Sequence, residues 1–80
     1  MHKTTKEVAV IAEKMGYKKT GRFCHGQAVF FNKRSKSYIS ADVDSHAGGF
    51  WKKASSIKNL GSKLLRDGTY NEDLTIKRGD

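Results

Sequence analysis

The chain has little of several residue types that mark common classes of small protein. Its 80 residues include no proline and a single cysteine, Cys24. The absence of proline excludes a polyproline linker, and a lone cysteine excludes an internal disulfide and suits a reducing compartment. The longest apolar run, residues 8–12, is far too short to span a membrane, and residues 1–4 lack the apolar stretch of a signal peptide. We therefore expect any export to depend on sequence outside these 80 residues.

Acidic residues are also scarce, and their scarcity is uneven along the chain. The net charge is +8. Residues 1–41 carry nine Lys or Arg and two Glu, whereas residues 42–80 carry seven Lys or Arg and six acids. This distribution predicts a polyanionic partner whose electrostatic footprint lies in the first half, with Lys18, Lys19 and Arg22 among its contacts. A membrane surface is disfavoured because no basic amphipathic helix with bulky aromatics is present, while an acidic protein partner fits the same charge.

The pattern of apolar residues predicts one α+β domain over residues 1–80, with an N-terminal helix packed on a small antiparallel sheet. Residues 4–7 have the spacing of a capping box, Thr4 being the N-cap. The helix is predicted over residues 5–15 and ends at Gly16. Its apolar positions recur at helical spacing, namely Val8, Ile11, Ala12 and Met15.

Several short segments read as strands. Residues 17–23 are predicted to form a basic edge strand, residues 27–32 a buried strand, and residues 37–44 a third strand that pairs with the second. Alternation puts Tyr38, Ser40, Asp42 and Asp44 on one face of the third strand, and Ile39, Ala41 and Val43 on the other. Residues 50–54 fit either a further strand or the start of a helix, and residues 74–77 fit a short last strand.

The residues able to do chemistry suggest cleavage of RNA without a metal. Such cleavage uses the neighbouring 2′-hydroxyl as nucleophile, and it needs a general base, a general acid and a cation. Histidine suits the proton transfers because its reference pKa is about 6.5. His25 precedes a glycine and a predicted strand, and His46 follows Asp42 and Asp44 in a glycine-rich loop. The candidate cations are Lys52, Lys53 and Arg66, each of which could instead belong to a solvated basic face.

Aromatic and hydroxyl side chains nearby are candidates for substrate contact. Trp51 could stack on a base, or it could belong to the core. Thr69 and Tyr70 follow residues 66–68 in a predicted turn, where they could reach a phosphate or serve only to form the turn. If Trp51, Tyr38 and the lysines provide only a stacking surface, the domain is a non-catalytic RNA-binding module.

A metal-dependent alternative comes from the spacing Asp42-x-Asp44-x-His46. Carboxylates and an imidazole can bind a divalent cation, which would make the domain a metal-dependent nuclease acting on DNA. Alternation supplies no third carboxylate nearby, however, and neither a zinc signature nor a phosphate-binding glycine loop is visible. We therefore expect no cofactor and no metal.

Longer motifs resemble a known family. They are His25-Gly26-Gln27, then Asp42-x-Asp44-x-His46-x-Gly48-Gly49-Phe50-Trp51-Lys52, Leu60-Gly61-Ser62-Lys63, Arg66-x-Gly68-Thr69-Tyr70 and the closing Gly79-Asp80. Together they resemble the C-terminal toxin domains of bacterial polymorphic and contact-dependent growth inhibition systems, of the novel toxin 21 type. The helix-then-strands layout is also similar to that of HicA-type mRNA interferases.

The family resemblance implies a ribonuclease with a fold like that of the barnase, EndoU, colicin and RelE group, and tRNA is its expected substrate. It also implies secretion within a larger effector, action in the target-cell cytoplasm and neutralisation by an immunity protein, which the charge predicts to be acidic. We expect a monomer when the domain is free. The expected catalytic residues are His25, His46, Lys52 and Asp44, and the expected substrate-binding residues are Asp42, Trp51, Lys53, Arg66, Thr69 and Tyr70.

Overall fold

A computed structural model describes residues 4–42, 50–62 and 65–79 of the chain. The elements in chain order are α1 (Thr5–Lys14), β1 (Lys18–Cys24), β2 (Gln27–Asn32), β3 (Ser37–Ala41), β4 (Trp51–Ala54), α2 (Ile57–Leu60), β5 (Gly68–Tyr70) and β6 (Lys77–Gly79). The strands form one antiparallel sheet in which each strand pairs with its neighbour in the chain. This architecture confirms the predicted α+β fold, with an N-terminal helix on an antiparallel sheet.

Helix α1 begins where the capping box predicts. The backbone N–H of Glu7 donates to Thr4 Oγ1 over 3.2 Å, and the backbone N–H of Thr4 donates to Glu7 Oε1 over 3.0 Å. These two bonds satisfy backbone donors that the first turn of a helix leaves unpaired. At the other end Met15 is the C-cap, and Gly16 follows with a φ of 86°. Gly16 therefore has the left-handed geometry that glycine adopts without strain, and it redirects the chain into β1.

Tight turns fix the register of the first three strands. The two residues between β1 and β2, His25 and Gly26, have φ values of 50° and 79°. Positive φ at both central positions is typical of the type I′ turn, whose twist suits a two-residue hairpin. The turn over residues 33–36 is held by Asn32, whose Oδ1 accepts from the backbone N–H groups of Arg34 and Ser35 over 2.8 and 3.0 Å. This side chain therefore sets the β2–β3 register.

The sequence allowed either a strand or the start of a helix after residue 50, and the structure has both, one after the other. Residues 51–54 form strand β4, paired with β3, and the short helix α2 follows from Ile57. Ser56 caps α2 by accepting from the backbone N–H of Asn59 over 3.1 Å. The last strand was predicted over residues 74–77 but begins at Lys77, because residues 71–76 form a loop closed by side-chain hydrogen bonds.

The two faces of the sheet pack against different elements. On one face, here called the α1 face, Val8 and Ala12 of α1 contact the sheet residues Phe30, Ile39 and Trp51. The opposite face, here called the α2 face, carries a smaller cluster formed by Val29, Ala54 and Leu60. The predicted alternation in β3 is confirmed where the structure describes it, because Ile39 and Ala41 belong to the larger core and Tyr38 to the smaller cluster. Among the described residues, no helix has the length and apolarity needed to cross a bilayer.

Candidate active site

Three polar side chains lie side by side on the α2 face and form the centre of the candidate site. Lys52 in β4 is the direct partner of Ser40 in β3 and of Thr69 in β5. Direct antiparallel partners have their Cβ atoms about 4.5–5.5 Å apart, so the base of the lysine lies between two hydroxyl groups. Ser40 is 1 % exposed and Thr69 is 2 % exposed, whereas Lys52 is half-buried. We call these three residues the polar row.

Asp42 extends the polar row at the end of β3. Its backbone N–H donates to the carbonyl of Phe50 over 2.9 Å, which continues the β3–β4 ladder by one residue. Asp42 therefore lies diagonally from Lys52 on the same face, at about 7–8 Å, within the reach of a long side chain. The carboxylate is buried and is engaged by a neighbouring group. A lysine, a buried carboxylate and two hydroxyls thus share one small area of the sheet.

Lys53 and Tyr70, which were expected to bind substrate beside the catalytic Lys52, lie on the opposite face of the sheet from Lys52. Lys53 pairs with Ile39, a residue of the α1-face core, and Tyr70 pairs with Trp51. The Lys53 Nζ atom lies 5.2 Å from the centre of the Tyr70 ring, a cation–π contact. Adjacent residues of a strand point to opposite faces, so the expectation that both lysines serve one site is wrong for this fold.

Trp51 belongs to the core. Its side chain is 0 % exposed, and its ring meets that of Phe30 edge-on, with ring centroids 6.0 Å apart. The indole N–H donates to the backbone carbonyl of Glu72 over 2.8 Å, so its one polar group has a partner inside the protein. A fully buried indole offers no face to a nucleobase. Trp51 therefore has the core position that was one of its two predicted roles, and its indole is not exposed for stacking in this structure.

Thr69 and Tyr70 lie in strand β5, not in the turn that was expected to contain them. The turn is formed by the preceding residues, and the backbone N–H of Asp67 donates to the carbonyl of Lys53 over 2.7 Å. Arg66 is half-buried just before this strand, and its backbone N–H donates to the carbonyl of Ser62 over 3.0 Å. Arg66 is also engaged by a neighbouring group. Arg66 therefore lies close to β5, the strand that carries Thr69 of the polar row, both in the sequence and in the structure.

His25 lies at the β1–β2 turn and is exposed. Its Nε2 atom lies 3.3 Å from the backbone carbonyl of Gly61, the C-cap of α2. This contact places the imidazole on the α2 face, the same face as Lys52. The turn that carries His25 nevertheless lies two to three strand spacings from β4, about 10–14 Å between backbones across the sheet. The backbone of His25 is therefore not adjacent to the polar row.

The other two expected catalytic residues, Asp44 and His46, lie outside the described residues. Both belong to the segment between Asp42 and Phe50 in the sequence. The backbones of Asp42 and Phe50 are hydrogen-bonded to each other beside the polar row, which extends the pairing of β3 with β4. Within the described ranges, no three His, Cys, Asp or Glu side chains are grouped as metal ligands would be.

Ser40 is a site residue that the sequence reasoning did not select. Alternation already placed Ser40 on the same strand face as Asp42. Serine is too common in strands, however, for this position alone to mark Ser40 as a site residue. Phe31 was also passed over. It lies half-buried against Tyr38, with ring centroids 4.6 Å apart. Phe31 matters because cationic side chains of β1 lie next to it. Only the pairing of β1 with β2 shows that they do.

Comparison with known proteins connects this arrangement with a family. No curated protein and no solved structure matches the chain. The sequence model of the novel toxin 21 family matches residues 10–78, which include every described strand except the end of β6. A match of this extent covers the second half of α1, nearly all of the sheet and the whole polar row. The chain therefore belongs to the novel toxin 21 family and is a toxin domain of the kind found at the C-termini of bacterial polymorphic toxins.

Proposed function

We propose that this toxin domain is a metal-independent endoribonuclease, with tRNA as the favoured substrate, and that the α2 face around the polar row is its active site. The observation that carries the proposal is the position of Lys52. This cation lies between the hydroxyls of Ser40 and Thr69 and diagonal to Asp42, on a sheet face that α1 leaves uncovered. The net charge of +8 supplies the attraction for a nucleic acid.

The proposed reaction is an internal displacement at one phosphate. The 2′-oxygen attacks the adjacent phosphorus, the bond to the 5′-oxygen breaks, and the products are a 2′,3′-cyclic phosphate and a 5′-hydroxyl. The 2′-hydroxyl gives its proton to a general base, and a general acid gives a proton to the 5′-oxygen. Lys52 stabilises the charge that develops on the phosphate oxygens, and Asp42 positions the Lys52 side chain.

His46 and Asp44 are the proposed proton-transfer groups, because each follows Asp42 within four residues in the sequence. His46 is four residues from Asp42 and four from Phe50, and these two residues join β3 to β4 beside Lys52. His25 is assigned a different role, contact with the substrate at the hairpin edge, because its turn lies two to three strand spacings, about 10–14 Å, from β4. Arg66 is proposed to assist in binding the substrate phosphates.

Incubation of the purified domain with total RNA, with and without a chelator, tests the activity. We expect cleavage to persist in the chelator, and we expect the new 5′ ends to accept a labelled phosphate from polynucleotide kinase without prior phosphatase treatment. Loss of cleavage in chelator, restored by Mg²⁺, would establish a metal-dependent nuclease instead. Binding of RNA without any cleavage would establish a binding module.

A toxin of this kind is harmful to the cell that makes it, so we also propose a cognate immunity protein. The basic surface around the site favours an acidic partner, and opposite charges accelerate association, towards about 10⁸–10⁹ M⁻¹s⁻¹ at low salt. A partner that covers residues 42–53 would block the polar row without any change in the toxin's conformation.

Hydrogen exchange on the toxin–immunity complex tests this mode of inhibition. We expect added protection in residues 42–53, which include β4, and little change in α1. Protection confined to α1, with residues 42–53 exchanging as in the free domain, would contradict occlusion. A matched pair sharpens the test, because Lys52→Glu is expected to slow association much more than Lys77→Glu.

A further inference from the structure

A basic groove lies at the end of the sheet opposite the segment that joins β3 to β4. It has a volume of about 340 Å³ and lies between the α1–β1 connection and the β2–β3 turn. An adjoining cavity shares Lys18 and Lys19 and is also lined by Glu13. The lining residues of the basic groove are Gly16, Lys18, Lys19, Thr20, Phe31 and Lys33.

The charges around the basic groove come from separate parts of the sequence. Lys18 and Lys19 begin β1, and Lys33 begins the turn over residues 33–36, which also carries the exposed side chains of Arg34 and Lys36. All five of these cationic side chains are exposed. A positive field of this density attracts the phosphates of a nucleic acid.

The two walls of the basic groove are joined by one side chain. Asn32 donates through Nδ2 to the backbone carbonyl of Met15 over 3.3 Å, and its Oδ1 accepts from the backbone N–H groups of Arg34 and Ser35. A Cβ atom at Gly16 would lie 3.1 Å from Asn32 Nδ2, which shows how closely the walls approach. The lysines are therefore carried on a fixed backbone, which lowers the entropy cost of binding a ligand.

An aromatic ring lies beside these cations. Phe31 is the direct cross-strand partner of Lys18, so the ring and the ammonium group are on the same face of the sheet, the α2 face. Phe31 is half-buried, and its other contact is the Tyr38 ring, with centroids 4.6 Å apart. Cations next to an accessible aromatic ring are typical of surfaces that bind single-stranded nucleic acid, in which bases stack while phosphates are neutralised.

We infer that the basic groove is a second substrate-binding site, which holds a single-stranded stretch of the RNA with a phosphate at Lys18 and Lys33 and a base on Phe31. The inference rests on the proposed ribonuclease function and adds to it a place where the RNA is held away from the cut. Phe31 lies two strands across and two residues along from Lys52, a Cα separation of about 12 Å on the same face. A few nucleotides of one strand connect the basic groove to the polar row.

The test measures binding and cleavage separately. Binding uses a fluorescent 2′-O-methyl RNA of about 12 nucleotides, within the site sizes of single-strand binders, because it lacks the nucleophile for cleavage. The groove variant is Lys18→Gln with Lys33→Gln, and its charge-matched control is Lys58→Gln with Lys77→Gln, all four residues being exposed. A second pair, Phe31→Leu and Phe31→Tyr, removes or keeps the aromatic ring. Thermal unfolding of each variant checks its fold.

We expect the groove variant to weaken binding and to reduce the salt slope of log affinity by about 1.4, since each phosphate contact contributes about 0.7 for single strands. The charge-matched control should change the slope by less than about 0.5. Phe31→Leu should lower affinity about tenfold, the effect of a lost stacked base, and Phe31→Tyr should preserve it.

Two results would overturn the inference. Cleavage of RNA by the wild type together with equal binding by groove and control variants would remove the second site while leaving the ribonuclease function intact. Binding of polyglutamate that depends on Lys18 and Lys33, with no effect of Phe31→Leu on RNA, would make the basic groove a surface for an acidic protein. Failure of the wild type both to cut RNA and to bind the 2′-O-methyl probe would overturn the proposed function itself.

Discussion

The two faces of the sheet are made by alternate residues of the same strands, and β4 shows the contrast within four positions. Trp51 and Lys53 belong to the α1 face, where Trp51 packs against Phe30 and Lys53 lies over the Tyr70 ring. Lys52 belongs to the α2 face, between Ser40 and Thr69. The α1 face is the main apolar core, and the α2 face combines a small apolar cluster with the polar row. Neighbouring residues of one motif therefore have separate surroundings, Trp51 in the apolar core and Lys52 in the polar row.

The difference follows from where the helices pack. Helix α1, with an apolar stripe and ten residues, covers the centre of one face. Helix α2 has only four residues and covers only the area around Val29 and Ala54 on the other. The rest of the α2 face carries polar side chains. In the described structure, no helix with an apolar face as long as that of α1 packs on it.

The largest effect is expected from the histidines, which test whether the site centres on the polar row. His46→Ala should lower the cleavage rate about 10²–10⁴-fold, as expected for loss of a general acid or base. His25→Ala should have a much smaller effect, expressed mainly in KM, because the turn that carries His25 lies two to three strand spacings from β4. Single-turnover rates on one RNA substrate measure both. The reverse order of effects would move the reaction to the hairpin edge.

Next in size is the loss of Trp51 from the α1 face. Trp51→Ala should reduce the free energy of unfolding by about 3–5 kcal/mol, the usual result for removing a large aromatic from a core. Trp51→Phe keeps a ring and loses the hydrogen bond to Glu72, so it should cost much less. Urea denaturation measures both. Trp51 is the single tryptophan, so strong quenching of its fluorescence on RNA binding, with unchanged stability in Trp51→Ala, would restore the stacking role.

The adjacent lysines compare the two faces most directly. Lys52→Met should lower the cleavage rate about 10²–10³-fold, the range seen when one group that stabilises transition-state charge is removed. Lys53→Met removes the same charge one residue away, on the opposite face, and should leave the rate nearly unchanged. Thermal unfolding serves as the control for folding. Equal losses of rate would show that cleavage depends on total charge and not on the polar row.

The smallest effect concerns the loop over residues 71–76, which supplies the carbonyl that binds the Trp51 indole. The Thr75 hydroxyl and backbone N–H, together with Asn71 Nδ2, donate to Asp73 Oδ1 and hold the pKa of Asp73 below its ordinary value of 3.8. A lowered pKa contributes stability above the ordinary pKa, and that contribution disappears as the pH falls through the lowered value. Asp73→Asn should therefore flatten the acid limb of stability below about pH 4, measured by thermal unfolding. An unchanged acid limb would exclude this contribution.

Much of the fold follows directly from the sequence because its signals are local. The capping box at Thr4 and Glu7, the apolar spacing of α1 and the glycine at its end define the helix within one residue. The bounds of β2 match the prediction, since Ala-Val-Phe-Phe favours a strand whatever lies around it. The motif around residues 42–52 was also enough to indicate the family, while the polyanionic partner expected from the net charge stays a prediction.

The site, in contrast, was decided by tertiary structure. Alternation states that Trp51 and Lys53 share a face and that Lys52 takes the other, but it does not state which face receives the core. That choice depends on the face to which α1 brings Val8 and Ala12, and a register shift of one residue would exchange the two sets of side chains. Pairing between strands then placed Ser40 and Thr69 beside Lys52, and Lys18 beside Phe31. Contacts between residues far apart in the chain come only from packing, and the sequence by itself determined the residues that were available for them.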